Sequence, residues 1–283
     1  MLKRINLSAF FISLQFLFIV SPSFSEEVCT KDKFFCIETI STDDSVEFIA
    51  KNNVTYDLTT TLSFSKLINV ESTVKLPYTF SLSGKTKKTI LKLNQKDIDL
   101  KWSYRYNFHT MSGNFNAKND YDYEYTLPFN AGEEYKVIQG YDGDYSHKGE
   151  QEYSIDFGMP EGTDVLACRD GKVVGIKNDS STGGASKTYA NQANFVMIEH
   201  SDKTIGAYLH LLKGTVLVKI GQNIKTGQLI AKSGNTGWSS APHLHFWVYK
   251  AKNGYLRESF PTKFKIAPNK SDILYEDETY KAF

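Results

Sequence analysis

Four runs between Ser45 and Phe129 alternate apolar and polar residues with a period of two, and this alternation limits the fold more than any other feature of the chain. Val54, Tyr56 and Leu58 form one set; Val74, Leu76, Tyr78, Phe80 and Leu82 a second; Trp102, Tyr104, Tyr106 and Phe108 a third; Tyr121, Tyr123, Tyr125 and Leu127 a fourth. Residues two apart on an extended strand share a face, so each set reads as a half-buried strand. Such strands in succession predict an antiparallel sandwich of immunoglobulin-like kind. Pro77 cannot donate a ladder hydrogen bond, which assigns its strand to an edge or a bulge. His109 has the opposite parity from Trp102 to Phe108 and reads as a surface residue. This half carries no cluster of acids, histidines or cysteines and is expected to be a spacer or positioning module.

From about Gly132 onward glycine becomes more frequent and the strands shorten. Asp170-Gly171 separates Val165-Leu166-Ala167 from Val173-Val174-Gly175-Ile176 as a tight hairpin, and Ser201-Asp202-Lys203 divides Phe195–His200 from Thr204–Leu211. Helical periodicity is absent, so the whole chain is expected to be all-β. Asn178–Gln192, rich in Ser, Gly, Thr and Asn, reads as a long surface loop. The expected organisation is an export signal at 1–25, a β-sandwich accessory domain at 26–130, a second β domain at 131–265 and a C-terminal tail at 266–283. The tail is polar and charged from Lys270 to Lys281, which suits a partly ordered extension or a segment packed on the first domain.

Lys3 and Arg4, the apolar run Leu7–Val20, and small residues at Ser23 and Ser25 before Glu26-Glu27 have the layout of a secretory signal peptide cut after Ser25. The run falls short of the ~20 residues needed to span a bilayer, which favours a cleaved signal over the alternative of a retained membrane anchor. No later segment is long or apolar enough to cross a membrane, so no membrane span is expected in the mature chain. The protein is therefore expected outside the cytoplasm, in the periplasm or the medium. Its formal charge is +1, and loss of the two basic residues of the signal leaves about −1. Such neutrality argues against an electrostatic grip on nucleic acid or anionic lipid. Export makes a Cys29–Cys36 disulfide the natural pairing, leaving Cys168 as a buried thiol.

The segment Pro242-His243-Leu244-His245-Phe246 places two imidazoles two residues apart, hence on one strand face. They fit either metal chemistry or a solvated strand face. The same half holds His200, His210 and, ahead of its first strand, His147. Asp156 alternates with Ile155 and Phe157, so a carboxylate points away from two core residues. Imidazole nitrogen and carboxylate oxygen are both zinc donors, and three protein ligands with one water make a catalytic zinc site. Spacing alone does not say which of these residues meet.

Ser146-His147-Lys148-Gly149, followed by Tyr153-Ser154-Ile155-Asp156-Phe157-Gly158-Met159-Pro160-Glu161-Gly162-Thr163, resembles the opening motif of M23-family zinc peptidases, the lysostaphin and LytM-like cell-wall endopeptidases. Ala167–Val173, Tyr208-Leu209-His210-Leu211, Gly221-Gln222, Gly227-Gln228 and Ser233–Phe246 continue it in order over about residues 132 to 250. The resemblance implies a compact antiparallel β-sheet groove with zinc at its floor. It implies His147, Asp156 and His245 as zinc ligands, and His210 and His243 as the histidines that handle the water proton and the developing oxyanion. Asn235, Thr236 and Tyr208 are the expected substrate contacts, the glycines around Asn235-Thr236 letting backbone approach substrate. The His147 to Asp156 separation exceeds the family's commonest step but matches a branch with a looser histidine loop. Trp247 stands where many members carry a small or acidic residue, and His200 is expected to be structural. The implied activity is that of an exported, monomeric, Zn2+-dependent endopeptidase cutting stem peptides or cross-links of peptidoglycan. A second reading is a catalytically silent groove that binds peptidoglycan or activates a partner cell-wall amidase; a third is a secreted protease of proteins or of glycine-rich peptides.

Overall fold

In the computed structural model, which describes residues 24–283, regular structure is nearly all strand, with 3-10 turns at Gly149–Gln151 and Lys187–Gln192. The expected export signal lies outside the described residues as far as residue 23. No helix among the described residues is long and apolar enough to cross a membrane. The chain divides into two units, one ending at Phe115 and including Ala251–Leu256, the other made of Asn116–Lys250 and Arg257–Phe283.

The first unit contains two sheets. One runs, in spatial order, Phe24–Cys29, Phe35–Ser41, Ser45–Asn52, Lys87–Gln95, Val70–Ser72; the other runs Tyr78–Leu82, Leu58–Ile68, Ser103–Ser112. Alternation sends Phe35, Ile37, Val46 and Phe48 of the first sheet and Leu58, Leu62 and Phe80 of the second into one shared core. Each such side chain, fully buried, stabilises by about 1.5–3 kcal/mol. Phe48 meets Phe64, Tyr104 and Tyr106 edge-on at 5.5, 5.6 and 5.1 Å, the arrangement aromatic quadrupoles favour. Pro77 directly precedes the edge strand Tyr78–Leu82, where its missing N–H costs no ladder bond. Cys29 and Cys36 are register partners joined by a disulfide.

The second unit is organised by a nine-stranded sheet in the order Asn223–Ile224, Gly171–Lys177, Phe195–Glu199, Ile205–Leu209, Leu244–Ala251, Ser154–Phe157, Glu134–Gln139, Thr279–Lys281, with Arg257–Phe260 also paired to Leu244–Ala251. Three expectations change here. The set Tyr121–Leu127 does not belong to the sandwich: Tyr125, Leu127 and Phe129 lie in the second unit's core, so the division falls after Phe115 rather than after residue 130. A period of two shows that alternate side chains are buried, but not against which sheet. Arg169 supplies the attachment, its guanidinium bonding Tyr125 Oη (3.0 Å) and Asp202 Oδ2 (2.8 Å) and lying 3.9 Å over the Tyr123 ring. The tail is no loose extension, because Thr279–Lys281 pairs with Glu134–Gln139 as an edge strand of this sheet. The 178–192 loop holds a short strand, Gly183–Gly184, parallel to Gly237–Trp238, followed by the 3-10 turn. A Cβ at Gly183 would sit 2.0 Å from the Asn235 carbonyl oxygen, so only glycine permits that approach.

Candidate active site

Ser154–Phe157 lies antiparallel to Leu244–Ala251 with Asp156 directly opposite His245 and Ile155 opposite Phe246. Ile155 and Phe246 face the core; alternation therefore turns Asp156 and His245 to the other face together. His147 arrives from the loop after Glu134–Gln139, where its Nδ1 lies 2.7 Å from the Gly140 carbonyl oxygen. A carbonyl only accepts, so Nδ1 carries the proton and a neutral ring has its lone pair on Nε2. That Nε2 lies 3.2 Å from Asp156 Oδ1, and His245 Nδ1 lies 2.8 Å from the same oxygen.

All three side chains are buried, and their ligand atoms lie within 4.8 Å of one another. Burial opposes the charge on Asp156, but His245, His147 and His243 beside it hold the carboxyl well below the usual carboxylate range. Burial pushes the pKa of His245 down, with Asp156 opposing. Asp156 Oδ1 thus stands 3.2 Å from His147 Nε2, the ring atom opposite the Nδ1 that Gly140 holds, and Nε2 of His147 and of His245 are buried without a hydrogen-bond partner. Two acceptors in contact are electrostatically unfavourable unless a cation joins them. Two imidazoles and one carboxylate, converging with this defect between them, fit a divalent metal ion of the zinc type.

His210 and His243 flank this cluster with ring centroids 4.5 Å apart. His210 Nδ1 lies 2.6 Å from the Thr236 carbonyl oxygen, and His243 Nδ1 lies 2.8 Å from the Ala241 carbonyl oxygen and 3.1 Å from Ser239 Oγ. Both rings therefore donate from Nδ1 and keep Nε2 as the basic atom, that of His243 lying 3.7 Å from Asp156 Oδ1. Burial, reinforced by the neighbouring His243 and His245, pushes His210 down to about 3, so it is neutral at physiological pH. Its backbone is left-handed, φ +64°, a conformation that non-glycine residues adopt rarely and mostly where a site requires it.

Asp156, His210, His243 and His245 line a groove of about 740 Å3. One wall is tied to the other by Tyr145, whose Oη donates to the Ala185 carbonyl (2.9 Å) while Trp238 Nε1 donates to Tyr145 Oη (3.1 Å). Trp247 lines the groove beside His245, and Lys187 lies 5.8 Å over the Trp238 ring.

The expected substrate contacts are corrected. Tyr208 is fully buried in the core against Phe246, and its hydroxyl accepts from the Cys168 backbone N–H at 2.7 Å. The strand ends at Leu209 and His210 turns left-handed, so the two-residue spacing no longer keeps Tyr208 on the side of His210. Thr236 is also buried; its carbonyl holds His210 and its Oγ1 accepts from Asn194 N and donates to Leu211 O. Asn235 accepts from Ser239 Oγ at 2.6 Å, behind His243. Thr236 holds His210 directly, whereas Asn235, half-buried, reaches His243 only through Ser239. Cys168 is buried and free, with its thiol pKa pushed up by burial. His200 is buried with Nδ1 on the Asp170 carbonyl at 2.9 Å, away from the groove. Sequence reading missed Ser239 and Gln139, whose hydrogen bonds reach His243 and Asp156.

Residues 150–256 match the family model described as peptidase family M23. A protein named as an uncharacterized metalloprotease from Buchnera aphidicola is 31% identical over 169 residues, covering 55% of this chain and 42% of its own length. The peptidoglycan DD-endopeptidase ShyA of Vibrio cholerae is 43% identical over 91 residues, 32% of this chain and 18% of its own. The chain thus spans less than half the length of these curated relatives. Among solved structures, the antimicrobial peptidase lysostaphin from Staphylococcus simulans aligns at 31% identity over 44% of this chain and 47% of its own, with a TM-score of 0.33.

Proposed function

Because the chain carries a peptidase family M23 domain, we propose that it is a zinc-dependent endopeptidase acting on the peptides of peptidoglycan after export. The observation that carries this reading is the convergence of His147 Nε2, Asp156 Oδ1 and His245 Nδ1, with Asp156 and His245 lining the same groove as His210 and His243 and His147 buried behind them. The relatives named as peptidoglycan DD-endopeptidases and as a glycyl-glycine endopeptidase support a cell-wall peptide as substrate.

His147, Asp156 and His245 would hold the metal, which when bound supplies Lewis acidity and lowers the pKa of a coordinated water. The protein's own groups do the rest. Gly140 fixes the tautomer of His147, and Thr236 and Ala241 fix those of His210 and His243. With Nδ1–H tied to carbonyls, each of these last two rings offers Nε2 to the groove. One accepts the proton of the attacking water and returns it to the leaving amine; the other, protonated, donates a hydrogen bond to the oxyanion.

The test is digestion of defined muropeptides, reading product masses and zinc content for the wild type and for His245→Ala. Cleavage of a peptide bond by the wild type and its loss together with zinc in the variant is the expected result. Equal cleavage by both would sink the proposal, and binding to sacculi without cleavage would replace it with a docking or amidase-activating role.

A further inference from the structure

The geometry points to Gln139 as the positioning residue of the site, its side-chain amide holding the Asp156 carboxylate and the loop that carries His147 as one piece. Gln139 ends the strand Glu134–Gln139, is register partner of Asp156 after an irregularity between Val137 and Gln139, and is 7% exposed. Its Nε2 donates to Asp156 Oδ2 at 3.0 Å and to Ser146 Oγ at 2.8 Å. Its Oε1 accepts from Tyr145 N at 3.1 Å and Ser146 N at 3.2 Å.

A primary amide has two N–H donors and two acceptor sites on its oxygen, and here all are taken. With no capacity left, the amide cannot flip or swing without breaking a buried bond. Asp156 is therefore held from behind through Oδ2, which leaves Oδ1 to face the three imidazoles. The Ser146 N–H clamp lies one residue before His147, so two of the three ligands, which sequence places on separate segments, share one anchor. Gly143 is fitted to the same anchor. A Cβ there would lie 2.4 Å from Gln139 Cγ and 3.0 Å from Cδ, so the loop closes over the amide only with hydrogen at that place. Methionine at 139 would match the length while leaving Asp156 Oδ2 and two backbone N–H groups without partners.

Hydrogen-bond partners behind metal ligands are worth about 10–100-fold in metal affinity. Given His147, Asp156 and His245 as ligands, the reading on which this rests, Gln139→Met and Gly143→Ala are compared with the wild type in the full chain. The measurements are the zinc dissociation constant by chelator competition, the visible spectrum with Co2+ in place of zinc, and the melting temperature of the metal-free protein. Both variants are expected to bind zinc about 10–100-fold more weakly, with an altered Co2+ spectrum. A merely structural role would lower the metal-free melting temperature and leave the dissociation constant and spectrum at wild-type values. That pattern in either folded variant overturns the assignment. Should Gln139→Met not fold, Gly143→Ala, which displaces the amide without deleting it, decides alone. A wild type that binds no zinc would instead sink the reading of the metal site itself.

Discussion

One strand of the first unit and one cluster of the second both bury polar side chains, but they treat them in opposite ways. In the first, Thr59, Thr60 and Thr61 are buried in one strand, and each hydroxyl finds a cross-strand partner: Ser81 at 2.8 Å, Thr110 at 2.9 Å and Thr79 at 2.7 Å. In the second, His147, Asp156 and His245 are buried as deeply, yet they converge and leave imidazole nitrogens without partners. A buried polar group that is satisfied on its own strand pair serves the fold. Buried groups that converge and stay unsatisfied cost stability, and a fold keeps them where something else is bound.

The largest test of this contrast is His243→Ala. It should lower kcat by about 10² to 10⁴ with zinc still bound, since His243 stands beside the proposed ligands His147, Asp156 and His245 without being one of them. Zinc lost along with rate would break the division between ligand and proton carrier; muropeptide cleavage with metal analysis reads both.

Next comes His200, a buried histidine of the second unit that belongs to the structural kind. Burial lowers its pKa from 6.5 to about 4. The unfolded chain therefore takes up a proton near pH 6.5 while the folded chain resists until about 4, so its contribution is complete above pH 6.5 and is lost as pH falls through that window. The loss amounts to about 3 kcal/mol at ~1.36 kcal/mol per unit. In urea titrations, the stability difference between wild type and His200→Gln should change across this window and level off below it. A pH-independent difference would show that His200 is not held neutral.

The smallest effect is expected in the threonine ladder. Thr60→Val should cost about 1 kcal/mol, and Thr60→Val with Thr110→Val no more than the single change, because removing both partners leaves less unmet. Strictly additive losses in denaturant midpoints would mean that these hydroxyls are not a local pair.

Strand parity carried the sequence reading where strands are unbroken. It put His243 beside His245 and aimed Asp156 away from Ile155 and Phe157, and the register Asp156 to His245 realises that placement. Tyr208 is expected at the groove from the resemblance, but it lies in the core, and the strand stops one residue later with His210 left-handed. Parity assigned Tyr125 and Leu127 to the wrong core because alternation is blind to the partner sheet. His147 came from resemblance alone, since a loop residue has no periodicity to read. Gln139 gave no signal at all: one amide at a strand end looks like any solvated residue until Asp156 and Ser146 are beside it in space.

The left-handed turn at His210 also bears on descent. Position 210 is filtered twice, by handedness and by chemistry. Besides glycine, the residues most at ease with such a φ are Asn, Asp and His, and of these only His carries a nitrogen base. Substitution by Asn or Gly would keep the backbone and the groove while removing the imidazole. On the proposed reading, a single substitution thus separates this chain from a variant that keeps its backbone and its groove but lacks one of the two proton-handling imidazoles.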